Sequence, residues 1–212
     1  MKQKLNQGIG CIIIFLIWTI LVCCVDLQPV GPKDSIVGFS GMNQFVHQLL
    51  GVHMWLYVIT DWLSLIPVGF MMGFAVLGLV QWIRRTKLTK VDKDILMLGC
   101  FYLIVLSMYL FFEEFVINYR PVLINGYLEA SYPSSTTLLV MTVMGTAKLQ
   151  LKHRINNETL NYCVCIGIYI FSKLMVIGRL VSGVHWFSDI VGSMLLSVGL
   201  IKIYEGFAID RE

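Results

Sequence analysis

A histidine and an aspartate lie four residues apart near the end of the chain, at His185 and Asp189. Residues at this spacing share one face of a helix, so the carboxylate can accept a hydrogen bond from an imidazole N–H group. That bond fixes the tautomer and leaves the other ring nitrogen free to attack an electrophile. Attack on phosphorus would form a phosphohistidine, which water then hydrolyses. The same pair could equally be a helix cap or a packing contact.

Other residues have side chains suited to holding a phosphate group. Arg120 and Arg179 carry planar guanidinium groups that match two phosphate oxygens and stay charged. Pro133, followed by Ser134 and Ser135, marks a helix start, whose free N–H groups attract anions. Taken singly, interfacial arginines often extend to lipid headgroups, and Pro-Ser-Ser is simply a good helix start. The prediction of a site therefore depends on these residues meeting in one place.

The composition is that of a membrane protein. Of 212 residues, 57% are hydrophobic and only 14% are charged, whereas a soluble domain carries about a quarter charged residues. Several apolar runs approach the length of about 20 residues that crosses a bilayer. We therefore predict an all-α fold, a six-transmembrane-helix bundle forming a single domain over residues 1–212. The predicted spans are 9–25, 62–82, 95–117, 134–151, 160–181 and 186–204.

Lysine and arginine are distributed asymmetrically in this arrangement. Twelve of the 16 basic residues fall on one side, which the positive-inside rule makes cytoplasmic, together with both termini. The loops at 26–61, 118–133 and 182–185 then lie outside, and the predicted site faces outward. The twelve residues are Lys2, Lys4, Arg84, Arg85, Lys87, Lys90, Lys93, Lys148, Lys152, Arg154, Lys202 and Arg211. The basic run at 84–93 therefore needs no nucleic-acid partner.

The outer segment at residues 29–61 has no strong pattern of its own. We expect a short interfacial helix around residues 43–50, and we expect the segment to cover or line the pocket because it lies on the same side. His53 and Asp61 could join the site. The six cysteines fall inside apolar runs, and we interpret them as packing residues, not as metal ligands.

Three short motifs resemble those of the type 2 phosphatidic acid phosphatases, membrane phosphatases related to vanadium haloperoxidases. That family carries K-x6-R-P, P-S-G-H and S-R-x5-H-x3-D. Here the third motif reads G-R-L-V-S-G-V-H-W-F-S-D over residues 178–189, so only the leading serine differs. The first reads E-E-F-V-I-N-Y-R-P over 113–121, and the second reads P-S-S-T over 133–136. The resemblance covers about residues 95–205.

The resemblance implies a role for each matching residue. His185 would be the nucleophile and Asp189 the residue that orients it. Arg120 and Arg179 would bind the phosphate group. The resemblance also implies that neither a metal nor another cofactor is needed. The second-motif residues expected to support substrate binding are Ser134, Ser135 and Thr136.

Two departures from the family pattern bear on catalysis. Glu113 replaces the phosphate-binding lysine of the first motif, and Thr136 replaces the histidine thought to protonate the leaving group. Lys173 lies six residues before Arg179, about 9 Å deeper by helical rise. We expect Lys173 either to pair with Glu113 or Glu114, to replace the missing cation in part, or simply to extend towards lipid headgroups.

The function predicted from these features is hydrolysis of lipid phosphates or polyprenyl diphosphates at the extracytoplasmic face. Because Thr136 cannot readily protonate an alkoxide, a diphosphate substrate with its more stable leaving group suits the sequence better. The alternative is a catalytically weakened family member that binds or flips anionic lipid or scaffolds membrane partners. A small transporter or channel is a third hypothesis, and the sequence favours it least. We expect a lipid phosphate substrate, no nucleic-acid partner and a bacterial plasma membrane location; the sequence does not indicate the oligomeric state.

Overall fold

The computed structural model describes residues 2–208, so Arg211, one of the predicted cytoplasmic residues, lies outside the described part. Eight α-helices make up this part of the chain, and the regular secondary structure between them consists of short 3-10 turns and isolated bridges. The all-α prediction is confirmed. The helices are α1 (Lys2–Cys24), α2 (Ser40–Leu50), α3 (Met54–Leu63), α4 (Leu65–Arg85), α5 (Lys93–Glu114), α6 (Ser135–Arg154), α7 (Glu158–Val181) and α8 (Phe187–Ala208).

Five segments of the described chain are long and apolar enough to cross a membrane. They are α1, the pair α3–α4, α5, α7 and α8. The predicted span at 134–151 is present as α6, but this helix is too polar to qualify, so the number six is not confirmed. The predicted interfacial helix at 43–50 corresponds to α2. The protein is therefore an integral membrane protein built from packed helices.

Helix α6 is polar because it lies inside the bundle. It packs against α4, α5, α7 and α8, and half of its residues are buried. Its threonines do not leave hydroxyl groups unsatisfied: Thr142 and Thr146 donate to the backbone carbonyls four residues earlier, at 2.6 and 2.8 Å. Burial among other helices thus removes the need for an apolar surface facing lipid.

Small residues bring α1 and α8 together along their length. A Cβ atom on Gly8 would lie 2.7 Å from the Ile203 side chain, and one on Gly199 would lie 2.7 Å from Ile12. Further along, the Trp18 indole N–H donates to the backbone carbonyl of Ser188 at 3.1 Å. The two helices therefore run antiparallel, and close backbone approach of this kind is typical of membrane helix pairs.

A group of ion pairs lies at one end of the bundle. Arg154 at the end of α6 pairs with Asp94 at the start of α5, and Arg85 at the end of α4 pairs with Asp92 at 2.7 Å. Because α6 and α8 start at the opposite end, that opposite end gathers the start of α6, the start of α8 and the end of α7. These are the termini on which the sequence places the candidate site.

Candidate active site

The four residues expected to form a site do converge. The Arg179 guanidinium contacts the His185 imidazole, with 3.4 Å between Nη2 and Nε2. The guanidinium carbons of Arg179 and Arg120 lie 5.0 and 5.8 Å from the centre of the same Tyr57 ring. Asp189 lies in the first turn of α8 and is completely buried. The end of α7, the loop before α6, the α7–α8 loop and α3 thus surround one location.

The hydrogen bonds of His185 define its tautomer. Nδ1 lies 3.2 Å from the Ser131 backbone carbonyl, which can only accept, so Nδ1 carries the proton. Nε2 faces an arginine N–H group, which can only donate. Burial, followed by the positive charges of Arg179 and Arg120, lowers the pKa of His185 well below 6.5. The imidazole is therefore neutral near pH 7, with a lone pair on Nε2.

Ser131 lies between His185 and Asp189, which corrects the expected direct bond between those two side chains. Its hydroxyl oxygen is 3.0 Å from His185 Nδ1 and 2.5 Å from the Asp189 carboxylate. Because Nδ1 is a donor, the serine accepts from the imidazole and donates to the carboxylate. The carboxylate thus orients the imidazole through a hydroxyl group.

The Asp189 carboxylate is held by further donors. The Trp186 backbone N–H donates to it at 2.9 Å, the Asn118 amide at 3.2 Å and the Ser188 hydroxyl at 3.3 Å. The Asn43 side chain on α2 bonds both the backbone N–H and the hydroxyl of Ser188. A buried carboxylate with several donors is fixed in position, as an orienting residue must be.

Both arginines keep buried N–H groups without a hydrogen-bond partner. These are Nε and Nη1 of Arg120 and Nε of Arg179. Glu129 lies near Arg120, with 3.2 Å between Oε2 and Nε, but at an angle unsuited to a hydrogen bond. Since a buried unsatisfied donor is costly, these groups indicate the position of an anion that would accept from them.

Gly178 gives α3 access to the site. A Cβ atom at this position would lie 2.9 Å from the Thr60 methyl group. The Thr60 hydroxyl accepts from Arg179 Nη1 at 3.3 Å. Glycine, in place of the serine of the third motif, thus allows a threonine from another helix to support the arginine.

The α7–α8 loop is anchored by the turn between α2 and α3. Gly183 has φ +70°, and a Cβ atom there would lie 2.2 Å from the Gly51 carbonyl oxygen. The His53 backbone N–H donates to the Ser182 carbonyl at 2.9 Å, and the His47 ring lies 3.2 Å from the Gly183 carbonyl. The segment at 29–61 therefore lines the site as expected, with His53 contributing through its backbone.

Comparison with known proteins identifies the region that carries this geometry. Residues 107–207 match the model of the PAP2 superfamily. This part of the chain is similar to that superfamily. The crystal structure of a transmembrane PAP2-type phosphatidylglycerolphosphate phosphatase from Bacillus subtilis superposes with a TM-score of 0.66 over 97% of each chain, at 15% sequence identity. No curated protein sequence matches the chain.

The second PAP2 motif is divided between a helix cap and two cavities. Ser134 is the N-cap of α6: its hydroxyl accepts from the Thr137 N–H and donates to the Thr137 hydroxyl at 3.1 Å. Its hydroxyl is thus used in capping rather than aimed at a ligand. Ser135 lines both a narrow cavity beside His185 and an apolar groove between α5 and α6, whereas Thr136 lines the groove alone.

Glu113 and Lys173, the two charged residues at unexpected positions in the sequence, lie apart in the structure. Glu113 lines the narrow cavity together with His185 and Ser131. Lys173 is exposed on α7, and its ammonium group is 4.5 Å from the centre of the Tyr169 ring. Within residues 2–208 neither Lys173 nor Glu113 forms an ion pair, so the expected pairing of Lys173 with Glu113 or Glu114 is wrong. Lys173 also does not replace the missing cation of the first PAP2 motif.

Sequence reasoning missed several residues that support the candidate site. Ser131 lies two positions before Pro133, the first residue of the second motif. This closeness to the motif was the feature of the sequence that could have indicated it. Tyr57 and Thr60 lie on α3, and no motif in the sequence indicates that this helix packs against the site. Within the described chain no group of three or more His, Cys, Asp or Glu residues is placed to hold a metal.

Proposed function

We propose that the protein hydrolyses lipid phosphates through a phosphohistidine on His185. The observation that carries this proposal is the Nε2 lone pair, next to an arginine whose remaining buried donor has no partner. Such an arrangement combines a nucleophile with a binding site for the anion that it attacks. The PAP2 superfamily match over the same residues supports a phosphatase.

Phosphate binding would reorganise the two guanidinium groups. Arg179 Nη2, now directed at His185, would turn to a phosphate oxygen and release the Nε2 lone pair. Arg120 would bind a second oxygen with its Nη1 group, which has no hydrogen-bond partner. The free N–H groups at the start of α6 add a positive dipole end. Both arginines would gain charge-assisted bonds that strengthen as charge develops in the transition state.

Attack by Nε2 makes the imidazole positively charged. The proton on Nδ1 then bonds more strongly to the Ser131 carbonyl and hydroxyl oxygens. The hydroxyl transmits the negative charge of Asp189 to this group. Ser131 and Asp189 would therefore stabilise the phosphohistidine without accepting the proton fully. Water would then attack phosphorus and release inorganic phosphate.

The apolar groove between α5 and α6 supports a lipid substrate. Its volume is about 350 Å³, and its lining includes Thr136, Tyr109 and Gly99. A second cavity of about 430 Å³ shares Gly99 and continues between α4 and α5 to Trp82. Because Tyr109 also lines the cavity beside His185, a phosphate at the site and an apolar chain in the groove would belong to one molecule.

We further propose that the site faces outward across a bacterial plasma membrane. The basic residues Arg85, Lys152 and Arg154 lie at the end of the bundle opposite to His185, and basic ends are retained in the cytoplasm. Alkaline phosphatase inserted after Gly126 should therefore be active, and the same insertion after Lys87 inactive. The reverse pattern would place the site inside.

A weakened PAP2 relative that binds anionic lipid or scaffolds partners is the second candidate. It is favoured by Glu113 and Thr136, which remove a phosphate-binding cation and a proton donor. The two functions share the anion site but differ in whether His185 reacts.

Phosphate release by the purified protein separates these candidates. We would compare phosphatidic acid, phosphatidylglycerol phosphate and a polyprenyl diphosphate, using the wild type, His185→Ala and the exposed control His153→Ala. We expect release by the wild type and the control, and none by His185→Ala. Binding of anionic lipid without release from any of the three would favour the second candidate. If Thr136 alone decides the substrate, the diphosphate is hydrolysed fastest.

A further inference from the structure

We infer that Glu113 is the proton donor to the leaving group of an alcohol phosphate, in place of the residue missing at Thr136. This inference rests on the proposed phosphohistidine mechanism and deepens it. Both departures from the family motifs are involved. Glu113, where the family has a lysine, supplies the proton that Thr136, where the family has a histidine, cannot provide.

The first support is the position of Glu113. Its side chain lines the same narrow cavity as His185, whereas Thr136 lines the apolar groove. Thr136 is therefore turned towards the lipid chain, and its hydroxyl is too weak an acid to protonate an alkoxide effectively. A donor must be sought among the residues of the cavity itself.

The second support is where the leaving oxygen must lie. That oxygen joins the phosphate to the lipid chain, so it passes from the cavity to the groove. Tyr109, Ser135 and Leu138 line both spaces. Glu113 is four residues after Tyr109 on α5, which places both side chains on one helix face. The carboxyl group is thus one helical turn from the passage.

The third support is the exclusion of other donors in the cavity. The Ser131 hydroxyl donates to Asp189. The Tyr132 hydroxyl lies 2.7 Å from the Thr19 hydroxyl on α1, away from the cavity. Tyr109 is free to donate, but a phenol is a weaker acid than a carboxylic acid. Glu113 therefore remains as the strongest acid that lines the cavity.

Within residues 2–208 the Glu113 carboxyl group forms no ion pair, so it is not committed to a basic side chain. Arg120 and Arg179 supply the positive charge that the phosphate needs.

Both half-reactions balance with this assignment. In the first, His185 Nε2 forms a bond to phosphorus, the P–O bond to the lipid breaks, and its electron pair stays on oxygen, which takes the proton of Glu113. The products are the lipid alcohol, a phosphohistidine and a carboxylate. In the second, the carboxylate takes a proton from water, the remaining hydroxide bonds to phosphorus, and the N–P bond breaks. Inorganic phosphate leaves and the carboxyl group is protonated again.

A pair of substrates that differ in leaving group tests the inference. Dodecyl phosphate releases an alcohol, which needs a proton, whereas p-nitrophenyl phosphate releases a stable phenolate, which does not. In single turnovers with the protein in excess, which report release of the leaving group alone, we expect Glu113→Gln to slow dodecanol release about 100-fold and p-nitrophenol release less than about threefold. Glu113→Asp should retain part of the dodecyl phosphate activity. The neighbouring Glu114→Gln should behave as the wild type.

Other patterns would overturn the inference. Equal losses on both substrates in Glu113→Gln would mean a structural role, and no loss on either would mean that another group donates. A loss confined to dodecyl phosphate in Tyr109→Phe but not in Glu113→Gln would assign the proton to the phenol. Wild-type protein that hydrolyses neither substrate would instead remove the proposed function, and His185→Ala would then show no change.

Discussion

The hydroxyl group of Ser131 donates to the Asp189 carboxylate across 2.5 Å. The same oxygen lies 3.0 Å from Nδ1 of His185. A histidine and an aspartate four residues apart are thus coupled by a third side chain from the loop before α6. Ser131 accepts a hydrogen bond from Nδ1 and so helps to hold the tautomer needed for attack on phosphorus. Within the described site, Asp189 is the only carboxylate that bonds to Ser131.

Replacement of this serine should therefore slow the chemical step. In Ser131→Ala the backbone carbonyl still accepts from Nδ1, but the carboxylate loses contact with the imidazole. A hydrogen bond to a charged group contributes about 1.5–3 kcal/mol, so we expect kcat for phosphate release to fall about 10- to 100-fold with KM nearly unchanged. Ser131→Thr, which keeps the hydroxyl, should recover much of the loss. Wild-type kcat in Ser131→Ala would show that the relay has no catalytic effect.

The contact between Gly178 and Thr60 predicts a non-additive pair of substitutions. In Gly178→Ala the new Cβ atom meets the Thr60 methyl at 2.9 Å, and overpacking of this kind costs about 1–3 kcal/mol. We expect a lower midpoint of thermal unfolding and weaker phosphate release, because Thr60 supports Arg179. Thr60→Ser removes the methyl but keeps the hydroxyl, so the double variant should unfold near the wild-type midpoint. Additive losses would show that the two residues do not interact.

Sequence reasoning could predict the residues whose spacing is set by one helix or one motif. Arg179, His185 and Asp189 lie within eleven consecutive positions, so their convergence follows from a helix end, a short loop and a helix start. Arg120 was predicted because Pro121 follows it, in the pattern of the family motif. Their common side of the membrane followed from the basic residues at the other side.

Contacts between distant segments were not predictable in this way. Thr60 reaches Arg179 because α3 packs against α7, and nothing in the sequence around Thr60 indicates that partner. Asn118 and Asn43 approach the site from two other segments. The position of α6 inside the bundle was likewise not predictable, because a helix covered on most of its sides leaves no periodic apolar signal.

The burial of His185 predicts how stability depends on pH. Burial and the neighbouring arginines hold its pKa in the folded protein well below 6.5. Below pH 6.5 the unfolded chain therefore binds a proton that the folded protein does not, and stability falls as the pH decreases. Above pH 6.5 this contribution is complete. We expect the thermal unfolding midpoint of the wild type to be lower at pH 5 than at pH 7, because only the unfolded chain gains the His185 proton over this range.

A variant comparison isolates that contribution. His185→Gln removes the titrating group, so its unfolding midpoint should change less between pH 7 and pH 5 than that of the wild type. His153→Gln, at an exposed position on α6, should keep the wild-type dependence. Equal slopes in His185→Gln and the wild type would assign the acid sensitivity to other groups.

Gly99 on α5 offers a way to block the groove without disturbing the site. A Cβ atom at this glycine would have no neighbour within 4 Å, and the residue lines both apolar cavities. Tyr109 follows Gly99 by ten positions, which is about 15 Å along the helix, so a bulky side chain at position 99 lies far from His185. In Gly99→Phe the new ring should fill the groove and exclude a long lipid chain. We expect hydrolysis of long-chain lipid phosphates to fall at least about tenfold, mainly through KM, because roughly 1.4 kcal/mol of lost apolar contact suffices. Short-chain phosphates and p-nitrophenyl phosphate should be hydrolysed as before.

Gly167→Phe is the matched control, since this exposed glycine on α7 also has open space around it but borders neither cavity. Equal activity of Gly99→Phe towards long and short chains would mean that the lipid chain lies elsewhere, for instance along the outer surface of α5.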